Sequence, residues 1–211
     1  MSQKYHYLAR RLHSFTGIFP VGIFLCVHLC INSFIFKGPE AYDWAIGLLN
    51  RSPLTPYIEV GLIGIPILYH ALYGVWVTYI SKTNLLQYKY YRNWMFYLQR
   101  FTAIVTFLFV FWHIYVLRIA RIFTGTEMDF ATIAGWLSDP TIYVIYIIGY
   151  LAAVFHFCNG IWSFLISWGI TIGQEAQNFV SCVCTLVFIA MGAVGIAGLT
   201  LLSKAVCVIQ S

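Results

Sequence analysis

The sequence predicts an all-α membrane protein, a single domain over residues 1–211 built as a bundle of five transmembrane helices. Three observations predict it. The chain is 61% hydrophobic and 9% charged, where a soluble domain carries roughly 25% charged residues. Its apolar stretches reach about 20 residues, enough for a helix to cross a hydrocarbon core about 30 Å thick. Those stretches show no period-two alternation and are too long for barrel strands. Helices and closed barrels alone satisfy the backbone in lipid, so helices remain.

The elements follow in order. Residues Met1 to Leu12 are polar and basic, with Lys4, Arg10 and Arg11. Span I is expected over 13–36, span II over 57–80, span III over 101–122, span IV over 141–168 and span V over 179–202. Span I is too long for a signal-peptide core and lacks a small-residue cleavage site, so it reads as a retained span. Between spans I and II, Ala41, Trp44, Ala45, Leu48 and Leu49 recur at helical spacing. Between spans III and IV, Phe130, Ile133, Ala134 and Leu137 do the same behind a capping candidate, Asp129. Both stretches read as short amphipathic helices at the outer surface. They are either a roof over a ligand site or ordinary interfacial connections.

Charge sets the orientation. The N-terminus and the II–III connection carry Lys4, Arg10, Arg11, Lys82, Lys89, Arg92 and Arg100 with no acid among them. The opposite side has Lys37, Arg51, Arg118, Arg121 and Lys204, mixed with acids. Positive-inside logic puts the N-terminus in the cytoplasm and, after five spans, the C-terminus outside. The net charge of +5 is scattered between apolar spans, which excludes a nucleic-acid surface. The six cysteines lie in apolar segments, and none forms the C-x-x-C-H pattern of covalent haem attachment. They read as small buried hydrophobes.

Each of the first four spans carries one histidine well inside its apolar run: His28, His70, His113 and His156, at gaps of 42, 43 and 43 residues. An ionisable ring in hydrocarbon is expensive without a partner and marks a functional site. Depth decides which of them meet. At 1.5 Å per residue, His28 and His113 lie about 22 and 18 Å above the inner surface. His70 and His156 lie roughly 20 Å below the outer one. His28 therefore shares a level with His113, and His70 with His156, each pair drawn from two helices. That is the arrangement of bis-imidazole ligation to two haems. Zinc is a poor rival, because no span offers an i, i+4 His/Glu pair. A proton relay is disfavoured by the near absence of carboxylates from the spans. Gly74 and Gly160 each follow an inner histidine by four residues, on the same helix face, and leave room for a flat macrocycle.

Other candidates have two readings each. His13, beside Arg10 and Arg11, is either a partner of an inner haem propionate or an interfacial residue. Arg100, Gln99, Trp94 and Arg10 are further propionate candidates, although the positive-inside bias alone accounts for the arginines. Glu59, the acid that starts span II, either serves a quinone or favours its helix dipole.

The motifs RRLHS (10–14), PVGIFLCVHL (20–29), LYHALYGV (68–75), YRNWMFYLQR (91–100), FWH (111–113) and FHFCNGIWSFLISWGIT (155–171) carry a resemblance. The chain resembles the two-haem, five-helix cytochrome b membrane anchors of succinate:menaquinone oxidoreductases. The resemblance covers about residues 5–200 and implies two b-type haems, the distal on His28 and His113 and the proximal on His70 and His156. It implies a flavoprotein subunit and an iron–sulfur subunit as cytoplasmic partners, with electrons passing through both haems to menaquinone near the outer face of a bacterial inner (cytoplasmic) membrane. The same architecture run as a quinol:fumarate reductase is the near alternative. A histidine-dependent ion or proton transporter is the distant one, and it calls for inverted repeats that the sequence lacks.

Overall fold

The computed structural model describes residues 3–50, 53–82 and 84–209 and is helical throughout its ordered elements. Arg51 lies outside the described residues, as do the side chains of Leu49, Arg121 and Cys207. Five helical stretches are long and apolar enough to cross a membrane: Lys4–Lys37, Thr55–Ile80, Tyr91–Thr124, Pro140–Ser167 and Gln174–Ala205.

The helices outrun the apolar stretches. Span I is two helices, α1 (Gln3–Ile18) and α2 (Val21–Asn32), with Pro20 between them. Proline has no backbone N–H to continue the ladder, which explains the break. The basic segment is helical from Gln3 onward and belongs to α1. Its lysine, arginines, leucines and alanine favour helix, and Arg11 Nε donates to Tyr7 Oη one turn earlier at 3.0 Å. Span III likewise begins ten residues ahead of its expected start, as α6 (Tyr91–Ile114).

The first outer connection forms α3 (Pro39–Asn50). Span II opens with the short α4 (Thr55–Tyr57), continues as a π-helical stretch Ile58–Gly64, and becomes α5 (Ile65–Ile80). After α6 a second π-helical stretch, Tyr115–Ile119, leads into α7 (Ala120–Thr124). The second outer connection is α8 (Phe130–Leu137), followed by α9 (Pro140–Ser167) and α10 (Gln174–Ile209). Asp129 caps α8 through the Thr132 N–H at 2.8 Å, and Asp139 caps α9 through Thr141 and Ile142.

Helix α9 is the centre of the bundle, packed against α6, α10 and α1. Small residues let it approach closely. A Cβ on Gly149 would sit 2.1 Å from the Phe109 ring, and one on Gly195 would sit 2.1 Å from Tyr150. In lipid such contact replaces the hydrophobic drive that water supplies elsewhere. Val154, Cys158, Trp162 and Cys184 form one buried cluster along this seam. The second cluster lies where α3, α8 and α10 meet and includes Tyr42, Phe130, Ala134 and Leu137. The two outer amphipathic helices therefore pack on each other and on the bundle. Asp43 Oδ1 accepts from the Phe130 N–H at 2.7 Å and joins them. Leu108, Phe111, Ile148 and Leu186 point outward, where only acyl chains solvate them favourably.

Candidate metal centre

The four span histidines meet in two couples. His70 on α5 faces His156 on α9, with ring centroids 6.2 Å apart and planes at 77°. His28 on α2 faces His113 on α6 at 6.0 Å and 83°. An ion held by one nitrogen from each ring, with bonds of about 2 Å and ring radii of about 1.1 Å, sets centroids roughly 6 Å apart. Both couples have that spacing.

In the inner couple the second ring nitrogen is committed. His70 Nδ1 donates to the His13 carbonyl at 2.9 Å, and His156 Nδ1 donates to the Gln99 carbonyl at 3.1 Å. A carbonyl only accepts, so both rings are Nδ1–H tautomers or fully protonated. As neutral rings they present Nε2 as the free base, the arrangement of a metal-bound histidine with a backbone partner. Gln99 is bound to this role on both ends. Its Nε2 donates to the His156 carbonyl at 3.0 Å and its Oε1 accepts from Asn159 at 2.7 Å. Its amide thus braces His156 instead of reaching for a propionate, the role the sequence suggested.

His13 lies on His70. The two rings stack at 4.1 Å and 13°, and Tyr73 closes over His13 at 5.5 Å. Two glycines permit the stack. A Cβ on Gly17 would fall 2.4 Å from the His70 ring, and one on Gly74 would fall 3.1 Å from His13 Cε1. The space beside Gly74 is filled by His13, while a Cβ on Gly160 would meet the Gln99 amide at 3.5 Å. His13 Nδ1 is buried with no partner among the described residues, so a polar neighbour is still owed to it.

The outer couple is supported differently. Asn32 Nδ2 lies 3.4 Å from His28 Nε2 and donates to the His28 carbonyl at 2.8 Å. Tyr42 of α3 donates to Asn32 Oδ1 at 3.2 Å. Burial holds the Tyr42 hydroxyl well above its ordinary pKa, so it stays a neutral donor. His113 Nδ1 is buried without a partner among the described residues. Sequence reading missed Asn32 and Tyr42. The i+4 spacing of Asn32 from His28 was a usable signal; the reach of Tyr42 was not.

The remaining candidates are placed as follows. Arg10 lies on α1 and Arg100 on α6. Arg100 donates to Ser81 Oγ and to the Phe96 carbonyl, and neither arginine pairs with a carboxylate among the described residues. Trp94 is an exposed ring against Tyr97. His6 stacks on Trp76 at 5.3 Å. Glu59 forms an ion pair with Arg118, a residue that sequence reading assigned only to the outer charge tally. The pair joins the two π-helical stretches, a local geometry frequent at functional sites.

Among the described residues no group of three or more His, Cys, Asp or Glu side chains gathers to hold an ion. Two imidazoles per couple are too few for a structural zinc site. They suit a metal whose other ligands come with it, as in a porphyrin. The donor set, the spacing and the fixed tautomers of the inner couple all fit such a group.

These features define a class: a multi-pass helical membrane bundle with paired intramembrane imidazoles. The chain belongs to the family of succinate dehydrogenase/fumarate reductase transmembrane subunits, whose family model matches residues 80–194. It is 42% identical over 196 residues to the succinate dehydrogenase cytochrome b558 subunit of Bacillus subtilis strain 168, covering 93% of this chain and 96% of that relative. It is therefore a membrane subunit of an enzyme complex, and the transporter alternative falls away.

Proposed function

We propose that this chain is the haem-carrying anchor of a succinate dehydrogenase, conducting electrons from an iron–sulfur subunit to menaquinone. The observation that carries the reading is the meeting of four imidazoles in two couples, 6.2 and 6.0 Å between centroids. Bound haem b supplies one-electron chemistry at each couple through its iron.

The protein's own residues do the rest. His70 and His156 hold the inner haem through Nε2, with the His13 and Gln99 carbonyls fixing their rings. His28 and His113 hold the outer one. Arg10 and Arg100 neutralise propionates on the inner side, where His13 Nδ1 also lacks a partner among the described residues. The bundle excludes water and keeps both couples in surroundings of low polarity, which sets their potentials.

The basic N-terminus and the II–III connection face the cytoplasm of a bacterial cell and dock the iron–sulfur and flavoprotein subunits. Menaquinone binds on the outer side near Glu59, whose carboxylate takes up a proton from outside and passes it to a quinone oxygen beside Arg118. Quinone reduction takes two electrons and two protons. Protons taken up outside and electrons arriving from inside make turnover consume membrane potential, at about 2.3 kcal/mol per charge per 100 mV.

The test is a reduced-minus-oxidised spectrum with a haem-to-protein ratio on the purified complex. About two b-type haems per chain are expected. His70→Ala should remove the inner haem alone and roughly halve the ratio. An unchanged ratio in that variant, or a colourless wild-type preparation, overturns the reading.

A further inference from the structure

The carbonyl that fixes His70 has a second donor. Thr16 Oγ1 donates to the His13 carbonyl at 3.0 Å, alongside His70 Nδ1 at 2.9 Å. Thr16 is buried, at 9% exposure, so water does not compete for that oxygen from the Thr16 side. The arrangement recurs at the opposing ligand. Thr102, also buried, lies three residues after Gln99, as Thr16 lies three after His13. Its hydroxyl donates to the Leu98 carbonyl at 2.7 Å and approaches the Gln99 carbonyl, the acceptor for His156, at 3.4 Å.

A carbonyl oxygen has two lone pairs and finite electron density. Density given to a hydroxyl is withheld from the imidazole N–H. The stronger the acceptor at Nδ1, the more basic Nε2 becomes and the better it stabilises a ferric over a ferrous iron. A hydroxyl on the shared oxygen works in the opposite direction.

We propose that Thr16, and more weakly Thr102, are positioning residues that raise the reduction potential of the inner haem by sharing the acceptor carbonyls of its two ligands. Among the described residues the outer couple carries no such device: His28 is approached by the Asn32 amide, and His113 Nδ1 has no partner. The two sites are thereby tuned independently. The inner one becomes the better acceptor for electrons arriving from the cytoplasmic side. This inference rests on the haem-ligand assignment proposed above.

The experiment is a redox titration of the purified complex, with each haem followed by its own optical and low-temperature EPR signal. Thr16→Val keeps the shape and removes the hydroxyl. Its inner haem should titrate lower, by about threefold in the oxidised-to-reduced ratio at fixed potential, roughly 30 mV for one electron. The outer haem should not move. Thr16→Ser should restore the wild-type value. Thr102→Val should shift the same haem the same way by less, and it serves as the primary probe if Thr16→Val fails to assemble. An inner potential that stays put or rises in the assembled valine variants overturns the proposal, as does an equal shift of both haems. A wild-type complex lacking haem sinks the ligand assignment itself, so the two failures are told apart.

Discussion

Gly17 and Gly74 form a reciprocal fit. Each follows a histidine by four residues on its own helix, and each makes room for the histidine of the other helix. The two are not equally tolerant. A methyl at Gly17 meets the face of an imidazole that is also hydrogen-bonded and opposed by His156, so His70 has nowhere to retreat. A methyl at Gly74 meets only the tip of His13, by a few tenths of an ångström. Gly17→Ala is therefore expected to displace the His70 ring and take the haem-to-protein ratio from about two toward one. Gly74→Ala should retain both haems. Pyridine-haemochrome quantitation of the two purified variants checks the order, and equal losses would show that the fit at Gly17 is looser than the contact implies.

At the scale of elements, the outer connections act as structure rather than as tethers. Asp129 starts α8 by accepting the Thr132 N–H, which holds its carboxyl below the usual carboxylate range. A lowered native pKa contributes stability above the unfolded value, about 3.9, and loses it as pH falls through the native one. Asp129→Ala should cost about 1 kcal/mol of local stability. Faster amide exchange in α8, confined to pH values at which the wild-type carboxylate is charged, is the measurement. An exchange pattern identical to wild type at neutral pH would remove the cap from the account.

The π-helical stretches act at the same scale. Each widens its helix by one residue per turn, and Glu59 and Arg118 bridge them. If Glu59 moves the proton, Glu59→Gln should slow succinate-to-quinone electron transfer on the order of 100-fold. The haem spectrum and the succinate-to-artificial-acceptor rate should not change, since neither needs the proton delivered to the quinone. Full quinone activity in this variant would send the proton path elsewhere.

At the scale of the whole molecule, the two histidine couples tie α2 to α6 and α5 to α9. Two of these four helices, α2 and α5, pack outside the α6–α9–α10 seam. A group that binds only the folded bundle stabilises it by mass action. Haem-depleted protein, from cells starved of haem precursors, should melt lower than the replete form. His28→Ala should recover only part of that difference when haem is supplied. Thermal melts in detergent measure both, and coincident curves would mean the bundle holds together without its ligands.

Most of the site was legible along the chain because membrane depth is a linear coordinate. A helix rises by a fixed step per residue, so even spacing of His28, His70, His113 and His156 settled which rings share a level before any contact was known. The five spans followed from length and hydropathy, and the α8 cap from Asp129 standing before an apolar repeat. What spacing does not carry is azimuth: which way a ring turns and which backbone it meets across a helix boundary. The use of Gln99 as a brace for His156, the stacking of His13 on His70, the Tyr42–Asn32–His28 chain and the Glu59–Arg118 pair all join residues from different elements. The extra turns at the starts of α1 and α6 escaped notice because hydropathy marks where lipid ends, not where hydrogen bonding does.

The amino-acid sequence by itself determined that this chain crosses a membrane five times and carries its histidines at two heights. Burial of apolar side chains and the rise of a helix depend on residue order alone. Only the tertiary structure decided what stands behind each imidazole, because helix rotation and close approach are set by packing between distant segments. It is there, in the carbonyls of His13 and Gln99 and the glycines that let them be reached, that the inner couple acquires its fixed tautomers.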